Sequence, residues 1–147
     1  CILNQNSRVL GIAYYPGMIN EIVDVLRKYE VGVIQMPCPE LTYAGLLRWS
    51  RTKEQYDVPA FRRHCRQIAS RIVDQVQEYS RNGFKVLAIL GVDGSPTCGV
   101  DETSTGYKGG YLPKLAPSQE AKFTKASGIF IEELQSELNE RKIAVPI

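Results

Sequence analysis

Two kinds of apolar pattern alternate along this chain. Residues 31–36 (Val-Gly-Val-Ile-Gln-Met) stop at Pro37-Cys38-Pro39, and residues 84–90 (Phe-Lys-Val-Leu-Ala-Ile-Leu) lie between Asn82-Gly83 and Gly91. Short apolar runs without helical period, bounded by turn residues, predict strands buried on both faces. Proline after the first run cannot donate to a ladder, which fixes its end. Residues 142–147 predict a last strand. Elsewhere the apolar residues recur at helical spacing: Ile19, Ile22, Val23 and Leu26, then a stripe of Phe61, Cys65, Ile68, Ala69, Ile72, Val73 and Val76, then Phe130, Ile131, Leu134 and Leu138. These predict helices over 19–29, 61–80 and 123–141, with Asp57 as a cap and Pro59 in the first turn of the middle one. Helix alternating with apolar strand predicts one three-layer α/β domain over residues 1–147. Its sheet is expected to be mostly parallel and Rossmann-like, with 31–36 and 84–90 as neighbours.

That topology directs attention to the loops that follow strands. Gly91, Gly94, Ser95, Pro96 and Gly99 end the run at 84–90 and present Asp93, Ser95 and Cys98 beyond a strand's carboxyl end, where open α/β sheets place their ligands. Cys38 also follows a predicted strand, with Glu40 two residues later. Residues 1–7 read as a loop leaving a strand upstream of Cys1, and the absence of a methionine before Cys1 implies processing or a longer chain. Residues 101–117, polar and carrying Gly106, Gly109 and Gly110, are the candidate for a mobile lid. Cys65 lies inside its helical stripe and reads as a small buried hydrophobe. His64 is off the stripe without a partner at metal spacing and reads as surface. Trp49, Tyr56 and Tyr14 read as packing rings before ligand platforms.

Composition narrows the classes. At 147 residues, 44% hydrophobic and 23% charged, the chain can build a sizeable core, and a net charge of +2 does not point to nucleic acid as the main partner. No apolar run approaches the roughly 20 residues of a membrane helix. Four cysteines at 1, 38, 65 and 98 do not make a dense disulfide framework, so a reducing cytoplasm is expected.

Three motifs in order carry a resemblance: Cys1-Ile-Leu-Asn4, then Pro37-Cys-Pro-Glu40 with Gly45-Leu46, then Gly94-Ser-Pro-Thr-Cys-Gly99. Together they resemble the thiouracil desulfurase (TudS) family and its less characterised relatives, over roughly the first two thirds of the chain. The stretch 48–56, Arg-Trp-Ser-Arg-Thr-Lys-Glu-Gln-Tyr, looks like that of a divergent subgroup. The resemblance implies an α/β domain holding a four-iron, four-sulfur cluster on Cys1, Cys38 and Cys98, and desulfidation of a thiolated heterocycle without net redox change. Glu40 and Ser95 match residues expected to handle the substrate. Thiolates are soft donors suited to such clusters, and three of them leave one iron open to a thiocarbonyl sulfur.

Two other readings compete. A zinc site on all four cysteines lacks the paired spacing and would draw Cys65 out of its stripe. The stronger alternative is a non-catalytic α/β domain without a metal, binding a small molecule or anion near Arg48, Arg51, Arg62, Arg63 and Arg66.

Overall fold

In the computed structural model, which describes residues 1–107 and 121–147, the chain runs through a 3-10 turn at Gln5–Ser7 and helices α1 (Asn20–Lys28), α2 (Pro39–Ala44), α3 (Lys53–Tyr56) and α4 (Pro59–Arg81). Strands β1 (Glu102–Thr105) and β2 (Lys122–Lys125) follow, and then helix α5 (Ile129–Glu140). The chain divides into two compact units, Cys1–Ser50 and Arg51–Ile147.

The second unit contains the apolar core. The stripe predicted on α4 is buried as a face: Phe61, Cys65, Ala69, Ile72, Val73 and Val76. Against it packs α5, with Ile129, Phe130, Ile131, Leu134 and Leu138 buried. Pro59 stands in the first turn of α4, where its missing N–H is no loss. Asp57 does not cap the helix; Val58 is the cap residue, and the Asp57 carboxylate pairs with Arg62 instead. Arg62 also bonds Glu132 and Glu133, both at 2.9 Å, so α4 and α5 are tied at their polar border as well as through their core.

The expected three-layer Rossmann-like architecture is not what the chain forms. It is a mostly helical α/β structure whose sheet, among the described residues, has two antiparallel strands, β1 and β2, in the register Glu102↔Lys125 to Thr105↔Lys122. Runs 31–36, 84–90 and 142–147 all lie outside any strand. For 84–90 the reason is visible in the backbone. Ile89 N–H donates to the carbonyl of Pro146 at 2.8 Å, but proline has no N–H to return the bond, and no ladder grows from that contact. Phe84, Leu87 and Leu90 are accordingly exposed rather than covered on both faces. Helix α1 has no buried residue; Ile22, Val23 and Leu26 are half-buried, so it does not pack on a sheet as expected. Within the expected lid, 102–105 is strand β1, and 108–117, with Gly109 and Gly110, lies outside the described residues. No described helix is long and apolar enough to cross a membrane.

Candidate functional site

The first unit buries polar groups rather than a hydrophobic cluster. Gln5, Ser7, Glu40 and Arg48 are its buried polar residues. The Gln5–Ser7 turn is capped by Asn4, whose side chain accepts from Asn6 N–H at 3.0 Å. Gln5 donates from Nε2 to the Cys1 carbonyl at 2.7 Å and accepts from Tyr14 N–H at 3.2 Å, so one amide fixes the start of the chain to a later loop. The Ser7 hydroxyl donates to the Asn4 carbonyl at 2.8 Å and lies 3.5 Å from Cys1 Sγ. With its single proton turned to Asn4, Ser7 Oγ meets the Cys1 thiol as an acceptor.

Cys38 reaches the same residue from the other side. It is the cap residue of α2, where its sulfur accepts from Leu41 N–H at 3.4 Å in place of the usual oxygen, and its thiol lies 3.8 Å from the Ser7 carbonyl oxygen. Pro39 occupies the first turn, so the Pro-Cys-Pro-Glu sequence ends the extended run and starts a helix within two residues. Glu40, buried in that first turn, accepts from Arg48 Nε at 3.2 Å. The same guanidinium donates to the Gly45 carbonyl at 2.9 Å and to the Ser7 carbonyl at 2.6 Å. Cys1, Ser7, Cys38, Glu40 and Arg48 thus form one connected polar cluster.

Ser95 and Cys98 belong to the second unit and to a different construction. Ser95 Oγ accepts from Thr97 N–H at 3.3 Å and Cys98 N–H at 3.0 Å, and the Cys98 carbonyl accepts from Val92 N–H at 2.8 Å. The Pro96 carbonyl accepts from Ile129 N–H and the Thr97 carbonyl from Phe130 N–H, so this turn caps the amino end of α5. Gly99 lets the turn close, since a Cβ there would sit 1.9 Å from the Glu102 carbonyl oxygen. Asp93 organises the outer side: its Oδ1 accepts from the N–H groups of Val100, Asp101 and Glu102. Those bonds, led by the one from Val100, hold its carboxyl below the usual aspartate range.

The expected iron-sulfur site is corrected by these positions. Among the described residues no group of three or more His, Cys, Asp or Glu comes together in a way that could hold a metal ion. Cys1 and Cys38 share Ser7, whereas Cys98 is built into the turn that caps α5, with Thr97 Oγ1 3.5 Å from its sulfur. The donor set does not fit a four-iron, four-sulfur cluster on Cys1, Cys38 and Cys98, nor a four-cysteine zinc site, because Cys65 is fully buried in the α4 core. None of the four cysteines is in a disulfide.

The other expected residues fall as follows. Arg62 and Arg66 are bonded to Glu133, Arg51 lies over the ring of the buried Tyr56 at 5.3 Å, and Arg48 belongs to the first-unit cluster. His64 is half-buried rather than on the surface, with its ring 6.1 Å from that of Phe61. Trp49 and Tyr14 are exposed, the latter under the Arg8 guanidinium at 5.1 Å. Gln5 and Ser7, both buried here, are not among the residues that the sequence pattern singles out. Asn4 and Ser7, three apart in a polar segment with turn preference, were the available signal for a capped turn.

The family described as "Putative 2-thiouracil desulfurase" matches residues 16–140, a span that contains Cys38, Glu40, Arg48, Ser95 and Cys98. The uncharacterized protein MJ0003 of Methanocaldococcus jannaschii is 41% identical over 99 residues, which are 67% of this chain and 63% of that protein. The chain therefore spans less than two thirds of the length of the curated relative it matches. No solved structure matches.

Proposed function

We propose, because this chain belongs to the Putative 2-thiouracil desulfurase family, that it is a binding domain for a small thiolated heterocycle, held at the cluster of Cys1, Ser7, Cys38 and Glu40. One observation carries this reading: two thiols meet a single serine beside a buried carboxylate. Thiol sulfur is soft and polarizable and suits contact with a thiocarbonyl sulfur. An ionised carboxylate is an acceptor for the ring N–H of a thiopyrimidine, and a charge-assisted bond of that kind is about twice as strong as a neutral one. Glu40 is the residue proposed to contact the ligand. Ser95 is proposed to act by bracing the turn that carries Cys98. Four cysteines outside any disulfide suit a reducing compartment, and we assign the chain to the cytoplasm.

Calorimetric titration of the parent chain with 2-thiouracil and with uracil tests the reading. 2-Thiouracil should bind more tightly than uracil, and Glu40→Gln should weaken it by about tenfold, the scale of one charged hydrogen bond. No binding of either base would overturn it. The finer enzymatic reading, removal of sulfur from the base, is supported by the family description alone. Sulfide release from 2-thiouracil in the same mixtures would replace binding by turnover.

A further inference from the structure

We propose that Arg48 is the positioning residue of the cysteine–carboxylate cluster, an assignment that rests on the binding reading above for its choice of ligand. Its side chain is buried, and each arm of its guanidinium has a different acceptor. Nε donates to the Glu40 carboxylate at 3.2 Å, Nη1 to the carbonyl of Gly45 at the end of α2 at 2.9 Å, and Nη2 to the Ser7 carbonyl at 2.6 Å. Two segments that are distant in sequence are tied by one planar group, the Gln5–Ser7 turn and helix α2, the latter at both its ends.

Two of these bonds determine what the site presents. The Ser7 carbonyl oxygen that receives Nη2 is the atom 3.8 Å from the Cys38 sulfur, and the hydroxyl of that serine is the group 3.5 Å from the Cys1 sulfur. Fixing Ser7 therefore fixes the surroundings of both thiols. Fixing Glu40 from the Nε side orients the carboxylate. Lysine, a point charge on a flexible stem, cannot reproduce a fork directed at three acceptors. Arg48 acts through Glu40 and Ser7 and is not assigned a contact with the ligand.

The test is a four-protein cycle: parent, Arg48→Met, Glu40→Gln and the double variant, each titrated with 2-thiouracil, with Arg48→Lys as a second variant should Arg48→Met fail to fold. Iodoacetamide alkylation of each cysteine is followed by mass spectrometry in every protein. Arg48→Met should weaken 2-thiouracil by about tenfold in the parent background and by less than about twofold beside Glu40→Gln, the coupling expected of groups that act as a unit. Arg48→Lys should retain only part of the affinity. Alkylation of Cys1 and Cys38 should accelerate in both Arg48 variants, while the buried Cys65 stays unreactive as evidence of an intact core. An equal loss of affinity in both backgrounds would show a merely structural role and overturn the proposal. If the parent binds no 2-thiouracil, the functional reading fails by itself, and the alkylation rates decide Arg48: unchanged rates at Cys1 and Cys38 overturn it.

Discussion

Asp93 shows how much one carboxylate can organise. A single oxygen collects the N–H groups of Val100, Asp101 and Glu102, three consecutive donors that would otherwise point at water in a tight turn. These bonds favour the ionised form, so the folded-state pKa lies below the unfolded value of about 3.9. A carboxyl depressed by folding contributes stability that is present above its unfolded pKa and is lost as pH falls through its folded pKa. Asp93→Asn should therefore be less stable than the parent near neutral pH, and urea midpoints of the two proteins should converge on acidification. A gap that stays constant with pH would mean that charge on Asp93 is not what the turn uses. Sequence alone places Asp93 beside Ser95 in a loop but does not show that Ser95 collects the N–H groups of Thr97 and Cys98 while Asp93 collects those of Val100 to Glu102. Likewise Glu40 is legible from the Cys-Pro-Glu motif, whereas its bond to Arg48, eight residues on, depends on how the chain after α2 folds back.

Among the elements, the apolar stripes of the helices were legible and the strands were not: the helix expected over 123–141 starts only at Ile129, and residues 122–125 form β2. The stripe on α4 carries its own periodicity and needs one apolar partner, which α5 supplies. A strand is defined by a second strand, and apolar runs such as 84–90 do not state whether their partner can return a hydrogen bond; Pro146 cannot. Strands β1 and β2 are short and largely polar, with Thr103 and Ser104 as the buried positions of β1, so the hydrophobic pattern gave them no signal. The same loop logic governs α5. Its first residues are capped by carbonyls of Pro96 and Thr97, an approach close enough that a Cβ on Gly128 would lie 2.4 Å from the Thr97 carbonyl carbon. Gly128→Ala must push α5 off its cap or distort the 95–99 turn. It should destabilise the chain by more than about 1 kcal/mol in denaturant unfolding, as overpacking does. An unchanged midpoint would show that the turn is free to move away from the helix.

At the scale of the molecule, each unit keeps its own logic, with an apolar core in Arg51–Ile147 and a buried polar cluster in Cys1–Ser50. The motifs identified the family correctly, and the match over residues 16–140 bears that out. What they implied about a cluster on three cysteines did not survive the geometry, because spacing in sequence does not decide which loops meet. Cys1 and Cys38 meet at Ser7 through a capped turn, while Cys98 is occupied in ending one loop and starting α5. The proposed function requires that the two thiols and Glu40 form one ligand site. Alkylation rates of individual cysteines, measured by mass spectrometry with and without saturating 2-thiouracil, test it most directly. The ligand should slow alkylation of Cys1 and Cys38 together, and Glu40→Gln should weaken this protection; unchanged rates at both cysteines in the presence of the ligand would show that they do not line a shared site.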